Sequence, residues 1–112
     1  MKRVQALVHL TEVGKGEAVM RNVEHLLEEF GNEVTAEVVA NGDGVKALLI
    51  TGPHGEQVRA LAEVGVRFAI CAHSTRAQGF TREDFPRVVA VVPSGVGEIV
   101  RRENEGFAYI RP

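Results

Sequence analysis

Five short apolar runs recur along the chain, and helix-length segments lie between them instead of two-residue turns. Strands joined in this way cannot close as hairpins; they align in parallel, with the connecting helices packed on the faces of the sheet. The runs are Lys2 to Leu10, Glu33 to Ala40, Val66 to Ile70, Val88 to Val92 and Phe107 to Ile110. The alternation predicts an α/β fold, a three-layer α/β/α domain with a mainly parallel five-stranded sheet. At 112 residues, positions 1–112 form a single domain.

The helical segments have distinct punctuation. Glu17 to Phe30 carries Val19, Val23, Leu26, Leu27 and Phe30 at helical spacing, and Gly31 supplies the exit. Asn41-Gly42 is a hairpin signal in isolation, but Val45 to Ile50 follows without strand alternation and predicts a strand-to-helix turn. Thr51-Gly52-Pro53 stops that short helix, and His54 to Val64 forms the next, with Val58, Leu61 and Ala62 inward. A short helix follows Cys71 to about Gln78, and a briefer one, capped by Thr81, meets Pro86. The last helix starts at Ser94 with Val96, Ile99 and Val100 inward. The near-continuous apolar run at Val88 to Val92 reads as a strand covered on both faces.

Composition excludes several classes. The formal net charge of −2 argues against a general nucleic-acid binder, leaving room only for a local basic patch such as Arg101-Arg102. No run approaches transmembrane length, so no membrane partner is expected. Gln5 and His9 interrupt the apolar run after Met1-Lys2-Arg3, and no small-residue cleavage site follows, against a signal peptide. The single cysteine cannot form an internal disulfide. A cytoplasmic location is the expectation.

Cys71 follows the strand Val66 to Ile70 and precedes a polar segment able to start a helix. A thiol at that place lies where open α/β sheets form their ligand crevices, facing N–H groups whose partial positive charge favours thiolate. His73 and Arg76 fall within the next turn and can act in the same direction, making Cys71, His73 and Arg76 the candidate catalytic residues. The bland reading of Cys71 is a small buried hydrophobe. His9 and Asn41 end the first two strands, on the same sheet edge as Cys71. With Gly42, Gly44 and Ser74 they are the candidate ligand-binding residues. Gly14-Lys15-Gly16 and Gly42-Asp43-Gly44 hint at phosphate cradles, but neither completes a nucleotide motif. Cys71-x-His73 is too few ligands for zinc, so no metal and no cofactor are expected. His25 and His54 read as surface residues, and the carboxylates fall mostly on solvated helix faces.

Over almost its whole length the sequence resembles the DsrE/DsrF-like family of small α/β proteins of intracellular sulfur metabolism. The resemblance rests on Val38 to Val45 with its Asn41-Gly42-Asp43-Gly44, and on Gly65-Val66-Arg67-Phe68 through Cys71. The Cys71, Arg76 and Gly79 spacing and Val92-Pro93-Ser94-Gly95-Val96 complete it. It looks closest to the single-chain branch of mostly unassigned role, whose loop after the cysteine is typically Asn-containing where this chain has His73-Ser74-Thr75. The resemblance implies a five-stranded parallel sheet and assembly into trimers or hexamers, with the crevice near a subunit interface. In sulfur-relay members, including TusD-like proteins, the cysteine matching Cys71 carries sulfur as a persulfide.

The expected function is therefore a sulfur carrier or sulfurtransferase-like protein, with sulfur donor and acceptor proteins as partners. The alternative is a non-catalytic oligomeric module holding a small anion or nucleotide at the strand ends. A scaffold in which Cys71 is only packed is the third reading.

Overall fold

The computed structural model describes residues 3–112, so the strand start expected at Lys2 lies outside the described residues. Strands β1 (Val4–Leu10), β2 (Val34–Ala40), β3 (Arg67–Cys71), β4 (Val89–Val92) and β5 (Ala108–Ile110) form one sheet. Their order is β4-β3-β2-β1-β5, and every neighbouring pair is parallel. Helices α1 (Gly16–Phe30), α2 (Gly55–Glu63), α3 (Ala72–Ala77) and α4 (Gly95–Asn104) lie in the connections. This is the three-layer α/β architecture that the alternation predicts.

From β1 to β4 the chain steps one strand at a time toward one edge, then returns across the sheet to place β5 beside β1. Side chains alternate between faces along each strand. Val8, Val38, Phe68 and Ile70 therefore point to one side, where they meet Val19, Met20 and Val23 of α1 and Val58 of α2. Leu7, Val39 and Ala69 point to the other, against Ile99 of α4 and Phe107. The second helical layer is α4.

Because one helix cannot pave five strands, two expectations need correcting. The strand at Val88 to Val92 is not covered on both faces: β4 is an edge strand, with Ala90 exposed on the α4 face and Val91 exposed on the other. An apolar run reads the same in a central strand and at an edge. In α4, Gly95, Glu98 and Ile99 are the buried positions, whereas Val96 and Val100 are 63% and 59% exposed. The helix is turned so that its charged side, Glu98 and Arg102, serves the sheet.

The reason is Glu37, a carboxylate inside β2 that is only 1% exposed and lies on the α4 face. Arg102 Nε lies 2.9 Å from Glu37 Oε1, yet its N–H is donated to Glu98 Oε2 at 3.0 Å. Neither Glu37 oxygen accepts a hydrogen bond. Burial, then a hydrogen bond shared with Glu98 and the Glu98 charge, pushes the Glu37 carboxyl up to about 7. Glu98 is pulled down to about 2, first by that shared hydrogen bond and then by Arg101 and Arg102. Arg101 and Arg102, read as a possible basic patch, are engaged by these acids and by Glu105. Glu37 and Glu98 thus depart from the expectation of solvated carboxylates.

Between β2 and α2, Gly42–Leu48 forms a 3-10 helix, a turn tighter than the short helix expected over Val45 to Ile50. A β-carbon at Gly44 would run into the Leu10 carbonyl, so only glycine lets this turn lie against the end of β1.

The Glu37 shift has a defined sign. A carboxyl whose folded pKa is raised from its ordinary 4.5 to about 7 stabilises the fold fully below 4.5. That contribution is lost as pH rises through about 7. Thermal melts from mildly acidic to alkaline pH should show stability falling by up to about 3 kcal/mol across this window. Glu37→Gln, which stays neutral, should flatten the profile.

Candidate functional site at the carboxyl edge of the sheet

After β3 the chain turns to the side of α1 and α2, where Phe80 and Phe85 join their core. After β4, the adjacent strand, it turns through Pro93 and Ser94 to the opposite side as α4. Neighbouring strands whose chains leave on opposite faces open a crevice at their carboxyl ends. Cys71, the last residue of β3 and the register partner of Val92, stands at this point.

The local sequence fixes how the sulfur sits. Cys71 is the N-cap of α3, and its Sγ accepts the Ser74 N–H at 3.5 Å, the role a Ser or Asp oxygen usually fills. Thr75 Oγ1 donates to the Cys71 carbonyl at 2.8 Å and locks that turn. Ser74 Oγ accepts the Gly42 N–H at 2.8 Å, leaving its own hydrogen for the sulfur.

From the other side comes the start of α4, whose Ser94 Oγ accepts the Gly97 N–H at 3.1 Å. A β-carbon at Gly95 would lie 2.9 Å from Asn41 Cβ and 3.3 Å from Cys71 Cβ, so α4 approaches this closely only through a glycine. Burial works against the charged thiolate and raises the Cys71 pKa. Hydrogen bonds from the Ser74 hydroxyl and from the backbone N–H groups of Ser74, Gly95 and His73 outweigh it. The net pKa lies below that of an ordinary cysteine. Cys71 is 6% exposed, but its surroundings are amide donors as well as hydrocarbon.

The model of the DsrE/DsrF-like family matches residues 11–112. The chain belongs to the DsrE/DsrF-like family. A solved protein of unknown function, MTH1491 from Methanobacterium thermoautotrophicum, superposes with a TM-score of 0.91 at 38% identity. That match covers 97% of this chain and 99% of that one. The ychN protein from E. coli superposes with a TM-score of 0.78 over 100% of both chains at 14% identity, a likeness of fold. No curated protein matches the sequence significantly.

In this DsrE/DsrF-like protein the candidate residues fall into two groups. His9, Asn41 and Cys71 share the α4 face of the sheet, by the same alternation that sends Leu7, Val39 and Ala69 there. His9 Nε2 lies 2.9 Å from Asn41 Oδ1. Ser74 and Gly42 join them through their mutual hydrogen bond. Gly44 is buried, and its N–H is donated to the carbonyls of Thr11 and Asn41, each at 3.1 Å. His73 and Arg76 are on the exposed side of α3, where Arg76 Nη2 meets His73 Nδ1 at 3.4 Å. His73 reaches the sulfur through its backbone N–H.

Of the remaining histidines, His25 is exposed and His54 is half-buried beside Gln57 and Gly16. Among the described residues no three of His, Cys, Asp and Glu gather as a metal-ligand set. No helix of the described residues is long and apolar enough to cross a membrane.

Tyr109 is the residue that sequence reasoning missed. Its hydroxyl lies 2.6 Å from His9 Nδ1. It gets there because β5 pairs with β1 in the register Leu7 to Tyr109, which makes His9 its diagonal neighbour. A tyrosine in the closing strand gives no local sign of which strand it will join.

Two substitutions test the site's electrostatics. Ser74→Ala removes a hydroxyl donor from the sulfur and should raise the thiol pKa by about one pH unit, read from thiolate absorbance against pH. Gly95→Ala forces α4 away from Asn41 and Cys71. It should cost about 1–3 kcal/mol in denaturant unfolding and raise the same pKa.

Proposed function

We propose that this protein is a sulfur carrier, with Cys71 holding sulfane sulfur as a persulfide. The observation that carries the reading is the Cys71 sulfur, set among amide donors that favour its anion at the switch point of the sheet. Membership of the DsrE/DsrF-like family supports it. The Cys71 thiolate attacks the outer sulfur of a donor persulfide. A new S–S bond forms on Cys71, the S–S bond of the donor breaks, and the donor leaves as a thiolate. In the second half, an acceptor thiolate attacks the terminal sulfur and Cys71 returns to its thiolate. No oxidant is consumed, and one cysteine suffices because the resolving thiol belongs to the acceptor.

Within this reading His73 carries the proton lost or gained in the transfer, and Arg76 adds positive charge, both from the exposed side of α3. Donor and acceptor are proteins, each presenting a reactive sulfur. The chain works as a homo-oligomer, a trimer or hexamer. The outward valines of α4, Val96 and Val100, and the exposed Val88 and Val91 about the edge strand support self-association.

Two measurements decide the reading. Incubation with a small-molecule persulfide donor should add the mass of one sulfur to the intact chain, and Cys71→Ser should add none. Equal labelling of the variant, or none of the wild type, would overturn the carrier role. Light scattering of the purified protein should give three or six times the chain mass, a result that a monomer would contradict.

A further inference from the structure

Asn41 lies between two neighbours with different roles. On one side is His9 from β1, on the other Cys71 from β3, since β2 is flanked by these strands. Asn41 Oδ1 can only accept, so the His9 Nε2 at 2.9 Å carries the hydrogen of that bond. Burial and then the nearby Arg111 hold the His9 ring below its ordinary pKa and favour its neutral form, against the opposing pull of the Asn41 hydrogen bond. A neutral ring with its hydrogen on Nε2 has a lone pair on Nδ1. The Tyr109 hydroxyl, 2.6 Å away, therefore donates to it.

The donations run in one direction, from Tyr109 to His9 to Asn41. Their effect is to fix a planar amide. With its oxygen turned to His9 of β1, the other arm of the planar amide, the NH2, is turned from β1. That NH2 has no protein acceptor among the described residues. Asn41 Cβ and Cys71 Cβ also crowd the same point above Gly95, so the amide borders the crevice that holds the sulfur.

We propose that Tyr109, His9 and Asn41 are positioning residues that keep an amide donor aimed into the Cys71 crevice, selecting reactants that bring negative charge to the sulfur. The chemical class is small sulfur anions, such as a persulfide terminus or a sulfur oxyanion, in preference to neutral electrophiles of the same size. This role deepens the carrier reading and rests on it for its biological use, but its chemistry can be read without any persulfide. Tyr109 touches no reacting atom; it acts through His9 and Asn41. Without its hydroxyl, the His9 hydrogen is free to move to Nδ1 and the Asn41 amide is free to turn over.

The experiment compares alkylation of Cys71 by iodoacetate, an anion, with alkylation by iodoacetamide, its neutral analogue, at one pH. In the wild type the ratio of the two rates should exceed that of a small free thiol. Tyr109→Phe, a conservative change at a side chain 40% exposed, should lower the ratio severalfold while the iodoacetamide rate stays nearly constant. His9→Gln, which keeps a donor for Asn41, should retain more of the ratio than His9→Ala. Asn41→Asp, which can still accept from His9 but offers no donor, should give the lowest ratio. A merely structural role would move both rates together and leave their ratio alone. An unchanged ratio in Tyr109→Phe, or a native Cys71 that neither reagent reaches, would overturn the proposal. Failure to load persulfide with the ratios as expected would instead count against the carrier reading alone.

Discussion

Gly95 and the two side chains beneath it set the geometry on which the site depends. With no β-carbon at this position, the first turn of α4 can settle against Asn41 and Cys71; with one, atoms would stand 2.9 Å and 3.3 Å apart. The contact brings the Gly95 N–H to a sulfur already met by the N–H groups of Ser74 and His73. Desolvation and hydrogen bonding oppose each other at Cys71, and the donors prevail because they come from two segments that leave the sheet on opposite faces. A cysteine packed against hydrocarbon alone would have its pKa moved the other way.

That contact requires α4 to be held in place, and its far half does this. Glu98 and Arg102 bind to one another and abut Glu37, the one carboxylate of the sheet interior. Two acids in one low-dielectric place cannot both ionise cheaply, so one keeps its proton and the other takes the arginines. The helix therefore has an ionic anchor in its second half and a close-packed glycine at its start. Its outer stripe, Val96 and Val100, makes no contribution to either and faces out. In this arrangement the layer on the α4 face is narrow, which is also why Ala90 of β4 lies bare on that face.

What could be read from the chain by itself follows from interactions that are local. The 3.6-residue and two-residue periodicities, Gly31 as an exit, Ser94 as a cap and the Asn41-Gly42 turn determined the element order and the parallel sheet. They also placed Cys71 at a strand end with a helix starting behind it. The neighbours of each strand were decided only in the tertiary structure, because strand order depends on contacts between distant segments that no periodicity encodes. Tyr109 met His9 once β5 had chosen β1 over the opposite edge. Val88 to Val92 became an edge strand for the same reason, and Glu37 became a buried acid because α4 crossed above it with Arg102. Sequence alone gave the sulfur its place on the sheet; folding chose the hydrogen-bond donors around it.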